Sequence, residues 1–148
     1  MSHNDPQYPK IGVGAVVWRA DRCLLIQRGT PPRLGEWSLP GGRQEWGETV
    51  AQAAQREVRE ETGLDVEIRD VVAVVDLIDR DDEGQIRFHY TLVDLLAEWR
   101  GGEAQPGDDA AAVAWTTLDE LPQYELWSET ERIIRLSAER RKDRADAL

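Results

Sequence analysis

Residues 41–64 have the sequence GGRQEWGETVAQAAQREVREETGL, in which a glycine-rich turn precedes the clearest helical pattern of the chain. Thr49 and Gln52 have the spacing of a capping box, which predicts that the helix begins at this point. Gly63 suits the left-handed conformation in which helices commonly end. We therefore predict a helix over 49–62, preceded by a structured loop without regular elements over 29–47.

The apolar residues of this helix predict which side faces the protein body. At about 100° per residue, Val50, Ala54 and Val58 point in one direction and mark the packed face. The residues that point in the opposite direction, toward water, are Gln52, Gln55 and Arg59.

Three glutamates lie on or beside the packed face. Glu57 and Glu61 have nearly the same direction as Val50, and Glu60 lies close beside them. Ionised carboxylates are rarely buried without a partner, and three so close together repel one another unless a cation lies among them. Hard oxygen ligands suit Mg²⁺ or Mn²⁺. The alternative is a surface helix whose glutamates pair with arginines, as Arg56 and Glu60 could at i, i+4 spacing.

The residues around the helix extend this pattern. Gly42 is followed after five residues by Glu48, and after seven more by REVREETGL at 56–64. This order matches all nine specified positions of the Nudix box, G-x5-E-x7-R-E-U-x-E-E-x-G-U, where U is aliphatic. A chance match has a probability below about one in 10⁸ per starting position. The chain therefore resembles the Nudix hydrolases.

The resemblance covers most of residues 10–136. WSLPGG at 37–42 is similar to the segment that leads into the box, and AWTTLDEL at 114–121 is similar to a later strand-to-helix segment of the family. The resemblance implies an α/β fold, an α/β/α sandwich of a mixed sheet flanked by helices, with a loop–helix–loop catalytic motif. It also implies a Mg²⁺-dependent hydrolase, with Mn²⁺ as an alternative, that cleaves a diphosphate linkage.

The resemblance assigns metal ligands and a base. Glu57 and Glu61 are implied as metal ligands, Glu60 as a further or water-mediated ligand, and the Gly41 carbonyl as the group that completes the coordination. Glu57 is the first candidate for the base that accepts a proton from water. Two later carboxylates are the alternatives for this auxiliary role, Asp109 and Glu120, although Asp109 could equally belong to a simple turn with Asp108.

Neighbouring residues are implied to support the glutamates or to bind substrate. Arg56 would orient the catalytic glutamates, and Glu48 would be a supporting carboxylate. Arg28 could contact a phosphate or form a surface ion pair. Trp37 could stack on a base, whereas for Trp46 a packing role is favoured.

Substrate markers outside the box are missing. ADP-ribose pyrophosphatases often have a proline about 16 residues after the box, where this chain has Arg80, and some dinucleoside polyphosphate hydrolases have a tyrosine near Asp82. VGAVV at 13–17 and FHYTLV at 88–93 still resemble bacterial ADP-ribose pyrophosphatase-like members. The alternatives are a MutT-like nucleoside triphosphate pyrophosphatase and a non-catalytic Nudix-fold binding module, which would typically lack a box glutamate.

The remaining segments predict further strands and helices. We expect a hairpin of strands 11–18 and 22–27, strands 66–78 and 86–97, a short strand 112–116, a helical turn at 118–121 closed by Pro122, and a helix 128–141. These belong to a single Nudix domain over 1–148, with a flexible arm at 1–9 and a frayed tail at 142–148.

Composition limits the partners. With 29 acidic and 18 basic side chains the net charge is −11, which argues against a nucleic acid polymer as partner but allows a small nucleotide substrate bound through a cation. No apolar run is long enough to span a membrane. The single cysteine, Cys23, lies in an apolar stretch, which predicts a buried thiol. Because one cysteine cannot form a disulfide within the chain, we expect a reducing, cytoplasmic location. A homodimer is possible, but no segment marks an interface.

Overall fold

The computed structural model describes residues 7–31, 33–107 and 109–147, with the backbone only for 146 and 147. These residues form a seven-stranded mixed sheet with one helix on each face. The elements are β1 (Lys10–Arg19), β2 (Arg22–Arg28), β3 (Trp37–Ser38), β4 (Gly41–Arg43), α1 (Val50–Thr62), β5 (Asp65–Arg80), β6 (Ile86–Gly101), β7 (Ala110–Thr116), a 3₁₀ helix (Leu118–Tyr124) and α2 (Ser128–Ala147). The predicted fold class is confirmed.

The strand order explains why the sheet is mixed. The main path runs β3-β2-β1-β6-β5, while β4 pairs with β1 and β7 pairs with β2. β1 and β6 are parallel, and all other pairs are antiparallel. β5 and β6 are longer than predicted, because their polar ends also pair across several bulges.

Side chains of β1 alternate between two cores, as expected for a strand buried on both faces. Val13, Ala15 and Val17 pack with Ala54 and Val58 of α1. The intervening residues pack against α2, where the main contacts are Val16, Trp18, Ile133 and Ile134. The sheet therefore separates two apolar layers, each closed by one helix, which is the predicted α/β/α sandwich.

The prediction that 29–47 contains no regular element is wrong. β3 and β4 lie within it, and β4 places Gly42 opposite Val13 and Gly41 opposite Gly14 of β1. Strands of two or three residues are too short to show an alternating pattern, so neighbouring strands, rather than local propensity, determine their conformation.

The C-terminal helix does not fray at residue 142 as predicted. It continues to Ala147, because side chains of its last turns are bonded to the sheet. The Nε of Arg141 donates to Glu98 at 2.6 Å, and the Nη1 of Arg144 lies 3.0 Å from Asp70.

The helical turn after β7 is also longer than predicted. It is a 3₁₀ helix that continues to Tyr124 and contains Pro122 in its interior. A 3₁₀ helix this short tolerates proline, because the fixed φ of proline is compatible with its geometry and few backbone donors are needed.

Three further predictions concern the cysteine, the N-terminal arm and membrane-spanning segments. Cys23 is fully buried, and burial raises the pKa of its thiol to about 12, so the buried thiol is confirmed. The predicted arm falls outside the described residues except for 7–9, which are exposed coil. No helix in the described ranges has the length and apolar character to cross a membrane.

Candidate active site

Helix α1 is fixed at both ends by the predicted caps. Thr49 accepts a hydrogen bond from the N–H of Gln52 at 3.0 Å, and the Gln52 side chain accepts one from the N–H of Thr49 at 2.9 Å. Gly63 ends the helix with φ of 77°, and its N–H donates to the Arg59 carbonyl. Because Ala54 and Val58 are fully buried, the helix has one rotational setting.

That setting directs two of the three glutamates inward, as predicted. Glu57 and Glu61 are partly buried, whereas Glu60 is exposed. The carboxyl group of Glu57 lies directly over the α-carbon of Gly42: a Cβ at position 42 would be 2.4 Å from its carboxyl carbon. Glycine at this position therefore makes room for the carboxylate.

Glu61 lies beside Glu57 and close to the start of β4. The N–H of Gly41 donates to Oε1 of Glu61 at 3.3 Å. Burial raises the pKa of Glu61, and a hydrogen bond with Glu57 and repulsion by its charge act in the same direction, while the hydrogen bond from the Gly41 N–H and the positive charge of Arg28 oppose them. The two carboxyl groups therefore lie close together, and a cation between them would offset the repulsion of their charges.

Arg56 connects the helix to the loop before it. Its Nε donates to Glu48 at 2.7 Å and its Nη2 to the same carboxylate at 3.0 Å, while Nη2 also bonds the Arg43 carbonyl at 2.9 Å. Its Nη1 donates to Glu57 at 2.9 Å and to Glu60 at 3.3 Å. Hydrogen bonds to the guanidinium hold the pKa of Glu48 below its usual range. Arg56 therefore contacts both Glu48 and Glu57, as an orienting role would require, and the roles of Arg56 and Glu48 stay predictions.

The glutamates border a cleft of about 420 Å³, a volume typical of small-molecule sites. The cleft is lined by Ile26, Arg28, Thr30, Ser38, Leu39, Gly41, Glu57, Glu60, Glu61 and Asp109. Of the predicted site residues, Arg28 and Asp109 are thus brought to the three glutamates. Thr30 and Ser38 are cleft residues that sequence reasoning missed.

Other predicted residues lie elsewhere. Glu120 is not among the cleft residues; its carboxylate accepts hydrogen bonds from Thr117 and caps the 3₁₀ helix. Trp37 packs on the α2 side of the sheet, with its ring 5.1 Å from that of Tyr124 in an edge-on arrangement. The structure therefore gives no support to an auxiliary role for Glu120 or to stacking of a substrate base on Trp37.

The packing role predicted for Trp46 is wrong. Its side chain is fully exposed, although the loop that carries it is anchored at other points. The N–H of Glu45 bonds the Glu48 carboxylate at 2.8 Å, and the N–H of Gln44 bonds the Ile11 carbonyl at 3.0 Å.

The donor set fits a hard divalent cation. Glu57 and Glu61 offer paired carboxylates next to β4, where the missing side chain of Gly42 leaves room for the Glu57 carboxylate. In the described part of the chain, no three acidic, histidine or cysteine side chains are already arranged around one point, and Glu60 is bonded to Arg56. A cation there would be held by two side chains, with the Gly41 carbonyl and Glu60 as further donors.

Comparison with protein families agrees with the geometry. A family model described as the NUDIX domain matches residues 8–136. The chain is 35% identical over 128 residues to an ADP-ribose pyrophosphatase of Methanocaldococcus jannaschii, covering 86% of this chain and 72% of that protein. It is 37% identical over 113 residues to a putative 8-oxo-dGTP diphosphatase 2 of Mycobacterium tuberculosis, covering 76% of each. It spans about half (47%) of another relative, a putative mutator protein of M. tuberculosis.

Solved structures show the same fold. A MutT NUDIX hydrolase of Burkholderia pseudomallei superposes with a TM-score of 0.75 at 36% identity, covering 88% of this chain and 98% of that one. An ADP-ribose pyrophosphatase of Streptococcus suis superposes with a TM-score of 0.69 at 34% identity, covering 89% and 91%.

Proposed function

The chain belongs to the Nudix hydrolase family, and on that premise we propose that it hydrolyses the diphosphate linkage of a nucleoside diphosphate derivative, with ADP-ribose as the first candidate. The observation that carries the proposal is the carboxyl pair of Glu57 and Glu61 beside Gly41 and Gly42 of β4, in a cleft that also contains Arg28.

The charged residues at the cleft have separate parts in this reaction. Glu57 accepts the proton of the attacking water, and Arg56 holds its carboxylate in place through the bond at 2.9 Å. Asp109 is the alternative base, since it lines the same cleft. Arg28 binds a phosphate oxygen of the substrate, which its position in the cleft permits.

We further propose Mg²⁺, or Mn²⁺, as the cofactor. Glu57, Glu61 and the Gly41 carbonyl would hold it, with Glu60 as a direct or water-mediated ligand after release from Arg56. When bound, such a cation neutralises the charge of the diphosphate and lowers the pKa of a coordinated water.

Support for ADP-ribose comes from relatives. The M. jannaschii protein and the S. suis structure are both described as ADP-ribose pyrophosphatases, at 35% and 34% identity. A nucleoside triphosphate is the second candidate, because the M. tuberculosis relative is described as a putative 8-oxo-dGTP diphosphatase and is 37% identical. A cytoplasmic location and a homodimer stay predictions.

Product analysis separates these candidates. The protein is incubated with ADP-ribose or with a panel of nucleoside triphosphates, with Mg²⁺ and with a chelator. ADP-ribose is expected to give AMP and ribose 5-phosphate, and a triphosphate would give a monophosphate and pyrophosphate. Turnover of triphosphates alone would replace ADP-ribose by the second candidate. No turnover of any diphosphate linkage would support the non-catalytic binding module and contradict the proposed function.

A further inference from the structure

A second cavity lies on the α2 side of the sheet and shares no lining residue with the catalytic cleft. Its volume is about 540 Å³. It is bounded by the last turns of α2, the first part of β5, the end of β6 and the turn between β1 and β2. Its apolar lining comes from Trp18, Leu118, Ala138 and Ala145.

The charged residues that line this cavity are mostly positive, whereas the chain as a whole is negative. The basic residues are Arg69, Arg100, Arg141, Lys142 and Arg144, and the acidic ones are Asp21 and Glu98. Five positive charges thus line the cavity against two negative ones, and Glu67 and Asp70, which pair with Arg69, Arg100 and Arg144 from outside the lining, leave an excess of one positive charge in a chain whose net charge is −11. A local positive field of this kind attracts small anions to one place on the surface.

Two of the basic residues build the cavity wall. Arg141 bonds Glu98 through two nitrogens, donates to the Ala20 carbonyl at 2.6 Å, and lies 5.3 Å from the centre of the Trp18 ring. Arg100 is bonded to Glu67, a residue outside the lining. The donors of Arg141 are largely used by the protein itself, which keeps the wall in one arrangement.

The other three basic residues keep donors for a ligand. Within the described residues, Lys142 makes no ion pair or hydrogen bond. Arg69 bonds Glu67 through Nη1 at 3.2 Å, and Arg144 bonds Asp70 through Nη1 at 3.0 Å. Because a guanidinium has five N–H donors, both arginines retain unused ones.

Cations in the last turns of α2 also have an ordinary explanation, since they favour the negative end of a helix. That explanation covers Lys142 and Arg144 but not Arg69 and Arg100, which belong to the sheet.

We propose that this cavity is a second ligand site, which binds the phosphate group of a small phosphorylated molecule through Lys142, Arg69 and Arg144. The apolar lining contacts the rest of that molecule.

The test uses the full chain and two probes, inorganic phosphate and AMP, each titrated at constant ionic strength. The reporter is the indole N–H of Trp18 in ¹H–¹⁵N spectra, because this group lies at the cavity and donates to Ser137. Lys142→Glu removes one proposed contact at an exposed side chain. Lys10→Glu makes the same charge change at the start of β1, outside the cavity lining. Glu57→Gln reports binding in the catalytic cleft.

A saturable shift of the Trp18 resonance is expected, with the dissociation constant raised at least about fivefold by Lys142→Glu and unchanged by the other two substitutions. Tighter binding of AMP than of phosphate would support contact of the apolar lining with the rest of the molecule, and equal binding would contradict that contact. The proposal is overturned if neither probe gives saturation, if Lys10→Glu weakens binding as much as Lys142→Glu, or if Glu57→Gln abolishes the shift.

Discussion

The carboxyl group of Glu57 occupies the space that a side chain at Gly42 would take, since a Cβ there would be 2.4 Å from its carboxyl carbon. Glycine is therefore required at this position, the first of the Nudix box, because a side chain there would collide with Glu57 of α1. Position 42 can change only if Glu57 moves.

Gly42→Ala is accordingly expected to reduce kcat by about 100-fold, because the methyl group displaces the Glu57 carboxylate by roughly 1 Å. Steady-state rates on the identified substrate measure this. Gly101→Ala is the matched control, since a Cβ there meets no atom within 4 Å. Equal rates for Gly42→Ala and the parent protein would show that Glu57 does not need its present position.

Arg56→Lys is expected to lower both kcat and the free energy of unfolding, the latter by about 1–2 kcal/mol. The guanidinium bonds Glu48, Glu57 and the Arg43 carbonyl together, and an ammonium group cannot reproduce that planar geometry. Denaturant unfolding and rate measurements check the two effects.

Arg59→Lys provides the comparison. Its ion pair with Asp65 is more than half exposed on both sides, so a change of at most a few tenths of a kcal/mol is expected. If the two variants behave alike, the network around Arg56 has no special role.

Asp94 predicts a pH dependence of stability. It is buried in β6, and burial raises the pKa of its carboxyl from 3.8 to about 6, opposed by the charge of Arg132. Between these two values the folded protein binds more protons than the unfolded chain. Stability therefore falls as the pH rises from about 4 to about 6, and the loss persists above that range.

Asp94→Asn should remove the Asp94 contribution to this dependence and raise the free energy of unfolding at pH 7–8 by up to about 3 kcal/mol, while the contribution of Glu61, whose pKa is also raised, is common to both proteins. Urea unfolding at several pH values measures it, with the exposed Asp76→Asn as control. A variant that keeps the parent's pH slope, or is less stable at pH 8, would contradict the assigned cause.

Trp46→Ala is expected to leave the free energy of unfolding within about 0.5 kcal/mol of the parent value, because the ring is fully exposed. Trp18→Ala, at a residue that is 3% exposed, should cost about 3–5 kcal/mol in the same assay. If Trp46→Ala lowered the free energy of unfolding nearly as much as Trp18→Ala, Trp46 would have a packing role after all.

The sequence predicted α1 and its inward glutamates because a helix of 13 residues shows its apolar face through many residues. β3 has two residues, so its pattern contains no information on which side chain faces the cleft; only its pairing with β2 places Ser38 at the cleft and Trp37 behind the sheet. Glu120 has a carboxylate, as an auxiliary base requires. Its side chain instead accepts a hydrogen bond from the N–H of Thr117 and so caps the 3₁₀ helix, away from the cleft. Residues 142–147 are strongly charged, and only their partners on the sheet, such as Asp70, explain why they remain helical.

The most direct test of the central claim compares kcat/KM for diphosphate hydrolysis by Glu57→Gln and by Glu67→Gln. Both substitutions remove one carboxylate charge next to an arginine, but Glu67 lies on β5 and bonds Arg100 outside the cleft. Glu57→Gln is predicted to lose about 10²–10⁴-fold with its fold intact, and Glu67→Gln to keep nearly full activity. Equal activity of the two variants would contradict the assignment of catalysis to the Glu57–Glu61 pair.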